Sequence, residues 1–99
     1  MRVVAEHPVH GLFLGDRDDQ LYWSEQHLPF PIISAVTFRS HREANDYFTS
    51  RLSGSDFREL EFHELPTVEP HASIAALVAA GLAHYTLKLL LHVEAAGNA

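Results

Sequence analysis

Eight of the 99 residues are histidine, one more than Lys and Arg together. Histidine is the side chain whose charge changes near neutral pH, and it can ligate a metal, move a proton or report pH. Each role needs particular neighbours. His7 and His10 stand three apart, a spacing that a strand points to opposite faces, and Pro8 opposes a helix there. His84 and His92 share a face in an extended segment but then lie about 27 Å apart. His63 and Glu64 are adjacent, so a strand splits them across a sheet. No H-E-x-x-H or His-x-His occurs. The chain has no cysteine, which excludes thiolate zinc sites, disulfides and a cysteine nucleophile. Local spacing therefore announces no metal ligand set and no cofactor. Any such site has to be assembled from distant parts of the chain.

Proton chemistry has one candidate. Residues 57–64 partly alternate, predicting a strand with Leu60 and Phe62 on one face and Glu59, Glu61 and His63 on the other. Carboxylates at alternate positions can raise one another's pKa, so these three are the candidate catalytic residues of a small metal- or His/Glu-dependent enzyme. The same row equally makes a solubilising surface. There is no G-x-S-x-G elbow, and the five glycines are too scattered for a phosphate loop. Gly15-Asp16-Arg17-Asp18-Asp19-Gln20 is not a calcium loop, since counting from Asp16 puts Leu21 and His27 where Gly and Glu belong.

These residues need elements to hold them. Val3 and Val4 open a strand that Pro8 ends. Gly11–Leu14 and Leu21–Trp23 flank the Gly- and Asp-rich stretch and predict a hairpin with a longer loop. Ile32–Phe38 reads as a buried strand. Ser40 with Glu43 fits a capping box, and Ala44, Tyr47, Phe48 and Leu52 recur at helical spacing, predicting a helix over 41–52. A second helix is predicted from His71, with Gly81 placed to end it. Tyr85, Leu87, Leu89, Leu91 and Val93 alternate with polar residues, predicting a strand over 84–94, with one helix from 71 to 95 as the rival. The sum is an α+β fold in one domain, 1–99: an N-terminal hairpin followed by β-α-β-α-β, a mixed sheet with two helices packed on one face.

The hairpin has large apolar groups on both faces: Leu12, Leu14, Leu21 and Trp23 alternate with Phe13 and Tyr22. One face can pack on the core, and the other needs a helix or another chain. Phe30, between Pro29 and Pro31, is a preorganised anchor. The leading expectation is a non-catalytic protein-interaction module, self-associating or binding another protein, with Phe13, Tyr22, Trp23 and Phe30 near the contact surface. A weaker reading is an acidic decoy that offers Asp56, Glu59, Glu61, Glu64 and Glu69 to a basic partner.

Charge narrows the partners. The formal net charge is −6, and no run of Lys and Arg exists, so nucleic acid is not expected. The longest low-polarity stretch, Ile74 to Ala83, is about ten residues and too short to span a bilayer. The N-terminus lacks a signal-peptide core, making a cytoplasmic location the default, with secretion by a route without a cleaved signal left open. Protonating all the histidines carries the charge from −6 toward about +2 between about pH 8 and pH 5.

Overall fold

The computed structural model describes residues 1–28 and 34–85. Strand β1 (Arg2–His7) pairs antiparallel with β2 (Gly11–Arg17), which turns back into β3 (Gln20–Trp23). On its other edge β1 pairs antiparallel with β5 (Glu61–Leu65), giving a four-stranded sheet in the order β3-β2-β1-β5. Two short strands, β4 (Ala35–Val36) and β6 (His71–Ala72), form a separate antiparallel pair. Three helices, α1 (His41–Thr49), α2 (Gly54–Arg58) and α3 (Ile74–Ala79), and a further helical turn at 83–85 complete the described chain. The fold is α+β, as the pattern predicts. Its strand pairings are antiparallel rather than mixed: short turns join β1 to β2 and β2 to β3, and β5 and β6 return across α1 and α2 to pair antiparallel with β1 and β4.

The hairpin turn is tighter than its composition suggests. Asp18 and Asp19 both take positive φ, 52° and 65°, so two residues suffice to reverse the chain. The strands continue through Arg17 and resume at Gln20. A register shift between Phe13 and Gly15 sets Gly15 opposite Tyr22. The extra residue in β2 twists the hairpin over its own core.

Alternation along β1 and β2 decides where the helices go. Ala5 and Phe13 face a cluster that contains Trp23, Phe38 and the α1 residues Ala44 and Phe48. Val4, Leu12 and Leu14 face a second cluster with Ala35, Leu65, Ala72, Leu77 of α3, Leu82 and Tyr85. Helices α1 and α3 thus cover opposite faces of the sheet, not one face. Both apolar faces of the hairpin are satisfied within the chain. Phe13 and Trp23 are only 0% and 3% exposed, so neither stands at a contact surface.

Local chemistry explains the helix ends. Ser40 Oγ accepts from the Glu43 N–H at 3.1 Å, and the Glu43 carboxylate accepts from the Arg39 N–H at 2.7 Å. This is a capping box whose return bond reaches one residue further back. Helix α3 is capped by Ser73, whose Oγ accepts from the Ala76 N–H, and therefore starts after His71 and Ala72, which pair with β4 instead. It stops at a Schellman motif: Leu82 N–H reaches the Leu77 carbonyl, Gly81 N–H reaches that of Val78, and Gly81 takes φ 81°. This stop rules out a continuous helix from 71. Residues 83–85 are helical, so the predicted strand over 84–94 fails at its first two positions, and the rest of it lies outside the described residues.

The predicted strand over 57–64 starts late. Phe57 and Arg58 end α2, a helix that begins after Ser53 with Asp56 in its first turn, and Glu59 is its C-cap. Phe57 and Leu60 pack against the Phe13 cluster, which draws this segment onto the face of α1. Only Glu61 onward is strand.

Candidate functional site

The end of the sheet where β1 finishes and β5 begins gathers the acidic side chains and several of the histidines. In the β1–β5 register Glu6 lies directly opposite Glu61, and His63 lies opposite Val4. Side chains two apart on a strand share a face, so Glu6, Glu61 and His63 converge there. His63 Nε2 is 2.8 Å from Glu6 Oε1 and 3.9 Å from Glu61 Oε2. The second Glu6 oxygen, Oε2, accepts a short hydrogen bond from the Tyr85 hydroxyl. Tyr85 is brought there by the Schellman turn: Leu82 anchors in the core beside Leu77, and the helical turn at 83–85 carries the ring over the end of β1.

Two facing glutamates repel unless something between them is positive or donates. Burial works to raise the Glu6 pKa, but the Tyr85 hydrogen bond, the His63 hydrogen bond and charge, and the charge of His84 together hold it below the ordinary value of 4.5. Tyr85 moves the opposite way. Burial, then its bond to Glu6 and the charges of Glu6, Glu25 and Glu61, push its hydroxyl well above the usual range. Tyr85 is therefore a standing donor, and Glu6 a carboxylate held ionised with one oxygen committed. Beside them opens a cleft of about 200 Å³ lined by Glu6, Pro8, Glu59, Glu61 and Tyr85.

The sequence candidates divide around this cleft. Glu61 and His63 do share a face, as alternation predicts. Glu59 does not belong to their strand, yet from the end of α2 it lines the same cleft. On the far side of Glu59 stands His7, only 2% exposed. Its Nδ1 accepts from the Val9 and His10 N–H groups at 3.1 and 3.2 Å. This turn stacks the His10 ring on His7 with centroids 4.3 Å apart, against the expectation that their spacing separates them. A ring nitrogen that accepts carries no proton, so the His7 proton sits on Nε2. That atom lies 3.1 Å from Glu59 Oε2 and 3.6 Å from Asp56 Oδ1. Neither approach has hydrogen-bond geometry, and Nε2 is a buried polar atom with no hydrogen bond among the described residues.

Two groups bring potential ligand atoms within 4.8 Å of one another: Glu6 with Glu61 and His63, and His7 with His10 and Asp56. The second is unsuited to a metal. His7 Nδ1 already serves two backbone donors and Nε2 bears the proton, so the ring has no lone pair to offer without breaking its turn. The first has no such obstacle, because Tyr85 occupies one Glu6 oxygen and leaves the other pointing at His63.

The remaining candidates lie elsewhere. Tyr22 is half-buried beside an open groove with Leu14, Gly15, Val36 and His71. Phe30 lies outside the described residues. The acidic series does not form one surface: Glu59 and Glu61 line the cleft, Asp56 faces His7, and Glu64 lies 3.6 Å from His41. Glu6 and Tyr85 are the site residues that sequence reasoning missed. The available signal was a single glutamate closing an otherwise apolar Val3-Val4-Ala5 strand. Comparison with family models, characterised proteins and solved structures yields no match for this chain. No helix among the described residues is long and apolar enough to cross a membrane.

The clamp on Glu6 has a measurable consequence. A carboxyl whose pKa is lowered on folding adds stability above about pH 4.5, its ordinary value, and that stability is lost as pH falls through the folded value. Tyr85→Phe is expected to cost about 1.5–3 kcal/mol near neutral pH, the range for a hydrogen bond to a charged group. The difference from wild type should shrink in acid, where Glu6 is protonated in both proteins. Urea unfolding near neutral pH and near pH 3 measures this; a difference that stays constant across that range would mean the bond is not charge-assisted.

Proposed function

We propose that this chain is a small cation-binding domain, with the Glu6–Glu59–Glu61 cleft as its binding site. The observation that carries the reading is the convergence of three carboxylates on one cleft whose described lining contains no Lys or Arg. One of them, Glu6, is held ionised by Tyr85 and His63. Such a cluster stores like-charge repulsion that a bound cation relieves. The interaction-module reading loses its main support, since Phe13 and Trp23 belong to the core.

The test is a titration with two cations, Zn²⁺ and spermidine, against wild type and the double variant Glu59→Gln/Glu61→Gln. Each lost charge within about 4 Å of a cation is worth on the order of 1 kcal/mol even in water, so the variant should bind about 30-fold more weakly. Equal binding of both cations to both proteins, or none to either, would overturn the proposal.

A further inference from the structure

We infer that the cation this cleft selects is a divalent first-row transition metal of the zinc class, held by Glu6 Oε1, Glu61 Oε2 and His63 Nε2. The inference rests on the cation-binding reading and narrows it. Its first support is the donor set. An imidazole nitrogen beside two carboxylate oxygens suits Zn²⁺ and its neighbours, whereas Mg²⁺ and Ca²⁺ prefer oxygen alone.

The second support is spacing. Tetrahedral bonds of about 2.0–2.2 Å to nitrogen and oxygen set neighbouring ligand atoms roughly 3.3–3.6 Å apart. The His63–Glu6 and His63–Glu61 distances of 2.8 and 3.9 Å bracket that edge. Glu6 and His63 must move apart by about 0.5–0.8 Å to admit the ion. Glu61, 73% exposed at its side chain, is free to swing in.

The third support lies around the ligands. Tyr85 holds Glu6 Oε2 and so orients Oε1, the arrangement by which a hydrogen bond from behind fixes a ligating carboxylate. On the opposite wall Glu59 faces His7 Nε2, a buried donor without a hydrogen bond. Three protein donors leave at least one coordination position to solvent. On binding, His63 gives its Nε2 lone pair to the metal and carries its proton on Nδ1, by exchange through water. A doubly protonated ring has no lone pair to give and must first release one proton, so affinity weakens in acid.

Calorimetric titration of the untagged protein with Zn²⁺ and Mg²⁺ tests this, with spermidine as the organic control. The expected result is one Zn²⁺ per chain and much weaker Mg²⁺ binding. His63→Ala and Glu61→Gln should each lower Zn²⁺ affinity by at least about 10-fold, since even residues behind a ligand cost 10- to 100-fold. Glu61→Gln, at an exposed position, keeps the test valid if His63→Ala does not fold. His10→Ala should leave Zn²⁺ binding unchanged. Zn²⁺ binding that survives Glu61→Gln and His63→Ala, or that is lost in His10→Ala instead, would overturn the metal site. If Zn²⁺ fails to bind while spermidine binds and is weakened by Glu61→Gln, the metal inference falls and the cation cleft stands. If neither binds, both fall.

Discussion

Phe13→Ala is expected to destabilise the fold by about 3–5 kcal/mol, the range for removing a buried aromatic. Phe13 is fully buried, and its ring meets those of Trp23, Phe48, Phe38 and Tyr47 at centroid distances of 5.1, 4.9, 6.1 and 5.6 Å. Beyond the lost area, each such edge or tilted contact contributes about 0.5–1.5 kcal/mol. Relaxation of the helix face is limited because α1 is pinned by its cap and by Phe48 in the same cluster. A domain of this size has about 5–15 kcal/mol of stability in all, so the variant should unfold at much lower denaturant. Denaturant unfolding separates the two roles that sequence alone allows for Phe13. A midpoint shifted by less than about 0.5 kcal/mol would mark it as a surface contact residue and contradict the core assignment.

Gly11→Ala should be nearly as damaging, by a different mechanism. Gly11 has φ 85°, a conformation that costs an ordinary residue about 1–2 kcal/mol. An added Cβ would fall on Ser24 Oγ and lie 2.6 Å from Glu25 Cγ. Glu25 can swing away, but Ser24 Oγ accepts the buried Leu12 N–H at 2.9 Å. Displacing it leaves that donor unsatisfied, at about 1–3 kcal/mol. The expected total is roughly 2–5 kcal/mol from the two costs together. Ser24→Ala separates them, because it removes the hydrogen bond and the clash while leaving φ untouched. Gly11→Ala should therefore cost less when made on a Ser24→Ala background, and fully additive losses would refute the clash.

Features of the fold governed by neighbouring residues were legible in the sequence. Ser40 and Glu43 predicted the start of α1 because a cap is chemistry within four residues. Gly81 predicted a helix stop because left-handed φ disfavours most side chains. The hairpin strands were visible in their apolar runs, although their two-residue turn was not, because Asp tolerates positive φ without requiring it. The side on which each helix packs was hidden. A hairpin apolar on both faces is equally compatible with a partner chain and with helices on opposite sides. Only the position of α3 after Ser73, set by the pairing of His71 and Ala72 with β4, decides between them.

The candidate site was half legible for the same reason. Glu61 and His63 stand two apart on one strand and were visible as a pair. Glu6 is 57 positions from His63, and it meets that residue only through the β1–β5 register. Tyr85 reaches Glu6 over 79 positions and depends on a helix end that alternation had disguised as a strand. The metal-ligand rule most often applied to sequences favours close spacing. Here no close pair satisfies it, and it overlooks the residues that converge; His7 and His10 do meet, but the turn hydrogen bonds remove His7 as a ligand.

The most direct measurement is the side-chain ¹H–¹⁵N spectrum of the histidines as Zn²⁺ is added to one equivalent. The His63 ring nitrogens are expected to shift first and furthest, with Nε2 as the bound atom, while His7 and His10 keep their signals. Large shifts at His7 or His10 with His63 unmoved, or a spectrum indifferent to Zn²⁺, would contradict the metal site.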